Sequence, residues 1–140
     1  MKHYEFKDHT ADVIAIGYGS TLEEAFAAAG EAMFNIITGG ADVACIEDVV
    51  FEIESIDTEG LLVGFLSHLI VVHEIDELVL AELSVEFIGS NRLRARGRGE
   101  KFEHSRHGNG VQVKGVSYHL IEIDAGDGKE PAEVQVLFDI

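Results

Sequence analysis

The segment from Ser20 to Gly40 constrains the fold more than any other, because both ends of a helix are written into it. Ser20-Thr21-Leu22-Glu23-Glu24 offers overlapping capping boxes, in which a hydroxyl accepts an early helical N–H and a glutamate reaches back. Leu22, Ala25, Phe26, Ala29, Met33 and Ile37 then recur at helical spacing until Gly39-Gly40 stops the run. What precedes it reads as two short strands, 2–7 and 12–18, with Gly17 and Gly19 at the exit of the second. After it, Val49, Phe51 and Ile53 alternate with Val50, Glu52 and Glu54 as a half-buried strand. Asp57 or Thr58 then caps a second helix carrying Leu61, Leu62, Phe65, Leu66, Leu69 and Val72.

From residue 78 the pattern is strand only: 78–88, then 91–103 across the turn Gly89-Ser90-Asn91, then 111–123, and finally 133–140. Asp124 to Glu130, followed by the only proline, Pro131, makes the last loop. This order predicts an α+β fold with two helices packed on one face of a largely antiparallel sheet. At 140 residues and 46% hydrophobic, the chain fits a single domain, 1–140, with one sizeable core.

The charge excludes some functions. With 26 acidic and 10 basic residues the net charge is -16, which repels phosphate backbones, so any RNA-linked role is expected to run indirectly, through a basic protein partner. One cysteine, Cys45, rules out a disulfide framework and a multi-cysteine zinc site, and reads as a small buried apolar residue. The sequence shows no apolar run of membrane-spanning length and no basic leader, so the expectation is a cytoplasmic protein without membrane contact.

Chemistry-bearing residues gather at the two chain ends. Asp8-His9-Thr10-Ala11-Asp12 stands between apolar stretches, and Phe138-Asp139-Ile140 closes the chain. If their strands are neighbours, Asp12, Asp139 and the α-carboxylate of Ile140 meet as oxygen ligands for a hard cation. Lys114 precedes a parity switch at Gly115, which suggests a bulge that re-aims Lys114 or His119; an ordinary lysine on a wet strand face fits the spacing equally well. Arg92, Arg94, Arg96 and Arg98 project from one strand face. They form either a ladder for phosphate or partner, or cross-strand pairs, with Glu86 opposite Arg94 and Glu82 opposite Arg98. His68 and His73 are five apart, the wrong spacing for a zincin helix. His104, His107 and His119 lack the cysteine or acid that would make a zinc set persuasive. Neither a nucleophile elbow nor a nucleophile with its base is present, and carboxylates with one lysine favour divalent-metal or polyphosphate work over acyl transfer.

Taken together, His9-Thr10-Ala11-Asp12, Thr21-Leu22-Glu23-Glu24-Ala25-Phe26 with Ala32-Met33-Phe34, Gly99-Glu100 with His107, Val113-Lys114-Gly115-Val116-Ser117-Tyr118-His119 and Asp139-Ile140 resemble the archeases nearly end to end. These are accessory factors of the GTP-dependent tRNA-splicing RNA ligase. The resemblance implies no self-sufficient reaction but assistance to the ligase in its metal-dependent guanylylation, permitting repeated turnover. It also implies a divalent-metal site with Asp12 and Asp139 as its acids and Lys114 as a further functional residue. Oxygen ligands suit calcium, with magnesium or manganese as alternatives, better than zinc. His9 would orient Asp12 or simply fill the turn. Where the family often carries a proline, this chain has Ala41-Asp42-Val43-Ala44-Cys45. Two other readings stay open: a metal-dependent phosphohydrolase using the same carboxylates, and a chaperone-like modulator of a tRNA methyltransferase.

Overall fold

The computed structural model describes residues 1–9 and 12–140, and the side chains of all of these except Asp8 and His9. In chain order the elements are β1 (His3–His9), β2 (Asp12–Gly19), α1 (Leu22–Thr38), β3 (Glu47–Glu54), α2 (Thr58–Asp76), β4 (Leu78–Gly89), β5 (Arg92–Lys101), α3 (His104–His107), β6 (Gly115–Asp124) and β7 (Ala132–Asp139). The α+β class and the antiparallel pairing are as expected. The strands divide into two sheets, ordered β1-β2-β7-β6 and β3-β5-β4. Both long helices lie between them, α1 meeting β1, β2, β7 and β4, and α2 meeting β6, β3, β4 and β5. Each sheet thus has one face on the helices and one face outward.

Local chemistry sets the helix ends where the sequence placed them. Thr21 accepts the Glu24 N–H at 3.2 Å, while the Glu24 carboxylate accepts the Ser20 N–H at 2.8 Å. Gly39 closes α1 in the left-handed region (φ 64), a conformation that costs glycine nothing, and donates to the Asn35 carbonyl. Asp57 caps α2 by accepting the Gly60 N–H at 2.7 Å. Gly17 explains how closely α1 lies on β2: a Cβ there would stand 2.4 Å from the Ala25 carbonyl oxygen and 2.8 Å from the Ala29 nitrogen. The alanine-rich face of α1 and this glycine are one device, small against small.

One core runs through both helices and both sheets, with Phe26, Phe34, Phe65 and Phe138 among its fully buried side chains. Burying each such ring stabilises the fold by about 1.5–3 kcal/mol. By length and mean hydropathy (19 residues, 1.3) α2 matches a spanning helix. Here Leu61, Leu62, Phe65, Leu66 and Leu69 of that helix are consumed by the core.

Two details differ from the sequence reading. The strand expected from residue 111 starts only at Gly115, because Val111 donates to the Ile37 carbonyl at 3.0 Å and Val113 is buried as a plug. The parity switch at Gly115 therefore marks the passage from loop to strand. The bulge lies further on, where register shifts between Ser117 and Glu122 and Leu120 takes φ 63. Cys45 is a free, half-buried thiol.

Candidate functional site

Alternation on β2 and β7 determines what meets at the chain ends. Ala15, Val134, Val136 and Phe138 belong to the main core, whereas Ile14, Ile16 and Leu137 form a small cluster of opposite parity on the outer face. Slipping the pair by one residue would exchange these sets, so the register is strongly specified. That register pairs Ala15 with Val136, Ile14 with Leu137 and, at its end, Asp12 with Asp139. Residues directly opposite share a face and hold their Cβ atoms about 4.5–5.5 Å apart. The two carboxylates therefore sit together on the outward face of the four-stranded sheet.

Among the described residues the Asp139 side of that corner is open. Asp12 is half-buried, Asp139 exposed, and Ile140 39% exposed. On the far side of Asp139 the paired residue is Gly115; even an added Cβ would stand 3.8 Å from the Asp139 Oδ2, and glycine supplies none to screen the carboxylate. Lys114 adjoins through its main chain, donating its N–H to the Asp139 carbonyl at 2.7 Å. The backbone of His9 pairs with Asp12 across the first hairpin. Its side chain, like Thr10 and Ala11, lies outside the described residues. His119 is not brought in: it sits exposed in the β6 bulge, its N–H bound to the Ser117 hydroxyl at 3.0 Å.

The donor set fits a hard cation. Two carboxylates placed opposite each other repel, and a divalent ion between them relieves that repulsion through oxygen ligands alone. Among the described residues no cluster of three or more His, Cys, Asp or Glu side chains is arranged as a metal site.

On the other sheet the arginines are mostly compensated. Glu82 does lie opposite Arg98 and Glu86 opposite Arg94. Because β5 is central, however, the tighter partners come from β3, which the hairpin alone could not reveal. Arg92 and Arg94 reach Glu52 at 2.5 and 3.0 Å, and Arg98 reaches Asp48 at 3.1 Å, against 3.8 Å for Arg94 to Glu86. Arg96 stands between Val50 and Ser84 in the register.

A buried polar cluster carries the remaining histidine signal. Glu100 and His107 are 4% and 0% exposed. Glu100 accepts the Ala44 N–H at 2.7 Å and pairs with His107 Nε2 at 3.0 Å and with the Arg106 guanidinium. The Ala44 N–H chiefly holds the Glu100 carboxyl down at about 2 against the opposing effect of burial, with His107 and Arg106 adding to it. His107 Nδ1 accepts the Glu103 N–H at 2.9 Å, so both ring nitrogens are committed and neither is offered to zinc. This cluster fastens the 41–46 loop and α3 to β5. The spacing Gly99-Glu100 with His107 was the only sequence signal for it. His73 and His68 pack on rings, His73 against Phe34 and Phe102, and His68 on Phe51 with centroids 4.2 Å apart.

The Archease protein family (MTH1598/TM1083) matches residues 4–140. Protein archease of Pyrococcus furiosus is similar, 36% identical over 138 residues that cover 96% of this chain and 97% of the relative. Protein archease of Methanosarcina mazei is 36% identical over 139 residues, covering 96% and 95%. The fold is similar to the solution structure of Methanobacterium thermoautotrophicum protein 1598, with TM-score 0.77, 30% identity and 98% of each chain covered.

Proposed function

This chain belongs to the archease family, accessory proteins of tRNA processing, and from that premise we propose that it activates the GTP-dependent tRNA-splicing RNA ligase in the cytoplasm, promoting ligase guanylylation and multiple turnover through a divalent-metal site. The observation that carries the reading is the register pairing of Asp12 with Asp139 on an open sheet face. Asp12 and Asp139 would hold the cation from neighbouring strands, with the α-carboxylate of Ile140 as a further oxygen donor. Calcium suits such a set, with magnesium and manganese as close substitutes. When bound, the ion supplies a Lewis acid that orients a phosphate and neutralises its charge. Lys114, fixed beside Asp139 by its main chain, adds a flexible cationic group at the same corner. His9 is assigned to orient Asp12, and His119 to meet the partner from the bulge.

The test is tRNA-half ligation at limiting ligase with GTP and manganese. Product well above one per ligase molecule only when this protein is present, and lost with Asp12→Asn or Asp139→Asn, is the expected result. Unchanged stimulation by both variants contradicts it. Phosphate release from GTP by the protein alone, abolished by Asp139→Asn, would replace activation with hydrolysis.

A further inference from the structure

The two edges of the three-stranded sheet are treated differently. On β4 two outward N–H groups are taken by side chains of α1: Glu31 accepts from Leu83 at 3.0 Å and Glu23 accepts from Phe87 at 2.8 Å. The Lys2 ammonium adds a bond to the Leu83 carbonyl at 3.2 Å. Exposed strand edges invite pairing with another chain, and these side chains obstruct it here.

Among the described residues nothing comparable covers β3. The Ser55 N–H bonds the Asn91 carbonyl at 3.0 Å, which assigns the odd residues of β3 to the ladder with β5. Antiparallel alternation then turns the main-chain N–H and C=O groups of Asp48, Val50, Glu52 and Glu54 to the open edge. Among the described residues, none of these groups has a hydrogen-bond partner. The side chains around the edge are apolar as well as acidic. Val50 is 57% exposed, and the flanking Ile46 and Ile56 are 71% and 90% exposed. Beside it runs the α2 stripe Gly64, His68, Val71, Ile75: a Cβ at Gly64 would meet Ile53 at 2.9 Å, His68 rests on Phe51, and Val71 and Ile75 stay exposed further along.

We infer that β3 is a docking edge that accepts an extended, basic segment of a partner protein as a fourth strand. Charge selects the occupant. Along this edge the outward side chains are Asp48, Val50, Glu52 and Glu54; Asp48 and Glu52 meet the β5 arginines on their inner side, Glu54 has no ion pair among the described residues, and the chain's net charge is -16. A second copy pairing antiparallel through β3 would set these carboxylates against their own kind, which is destabilising. A strand alternating Lys or Arg with Val or Ile instead places its cations beside the carboxylates and its apolar residues over the α2 stripe. This edge belongs to the other sheet from the Asp12 and Asp139 corner, so it stands or falls separately from the metal reading.

The probe is a capped peptide of alternating lysine and valine, as long as β3 (8 residues), titrated into the full-length protein and followed by backbone amide shifts. Saturable binding is expected, with shifts at Asp48, Val50, Glu52 and Glu54 and along the α2 stripe, and with slowed amide exchange at those four residues. Val50→Pro deletes an outward N–H without touching the ladder, so its melting temperature should stay near wild type while binding weakens at least about tenfold. Should that variant fail to fold, Glu54→Lys is read instead and is expected to weaken binding several-fold. Overturning results are the absence of saturable binding, equal binding of a glutamate and valine peptide, shifts elsewhere on the molecule, or concentration-dependent dimerisation abolished by the same substitutions.

Discussion

Both sheets carry carboxylates on their outward faces, and they arrange them oppositely. On the three-stranded sheet, Asp48 and Glu52 face arginines of the central strand, so charge is compensated where it stands. On the four-stranded sheet, the register sets Asp12 against Asp139, like against like, and leaves glycine at the next position. The first arrangement is charge-paired within the sheet and calls for no metal ion. The second brings two carboxylates of like charge together as an oxygen donor set, and that juxtaposition marks it as the candidate site.

The largest effect expected from breaking this contrast is on activity. Asp139→Asn should lower ligase stimulation at least about tenfold, on the scale by which altering a metal site's surroundings changes affinity. Arg94→Ala and Arg98→Ala together should leave stimulation intact, read by product per ligase molecule at two ionic strengths. If the arginine pair matters and Asp139 does not, the roles of the two faces are exchanged.

A cation should also stabilise the corner by mass action. Calcium at about 100 times its dissociation constant raises stability by about 2.7 kcal/mol. That gain is expected as a higher melting temperature in wild type and as no change in Asp139→Asn. A third carboxylate, the buried Glu100, sharpens the contrast because protein donors alone satisfy it. Its carboxyl is lowered from 4.5 to about 2, so it contributes stability in full above its ordinary range and loses it as pH falls from about 4.5 toward about 2. Glu100→Gln should flatten acid unfolding across that window and make no difference to calcium binding. Smallest of all is Arg94→Ala on stability, since exposed pairs contribute little; a melting curve close to wild type is expected.

Legibility in the sequence followed the range of the interactions. The limits of α1 and α2 were readable because caps and stops act within three or four residues. The facing of Asp12 and Asp139 was readable as a condition on strand neighbours, and β2 and β7 are neighbours. What was hidden is long-range. Pairing of β3 with β5 brings residues about forty apart together, so Glu52 could not be foreseen as the arginines' nearer partner. Division into two sheets is decided by where the helices insert. The late start of β6 depends on a hydrogen bond from Val111 to Ile37, invisible to any local pattern.

The central claim is that the register facing Asp12 with Asp139 builds a cation site, and a calcium titration monitored at the amides of Asp12, Gly115, Asp139 and Ile140 tests it most directly. The account predicts saturable shifts centred on those residues in wild type and none in Asp139→Asn. Shifts that never saturate, or that persist unchanged in the variant, would contradict it.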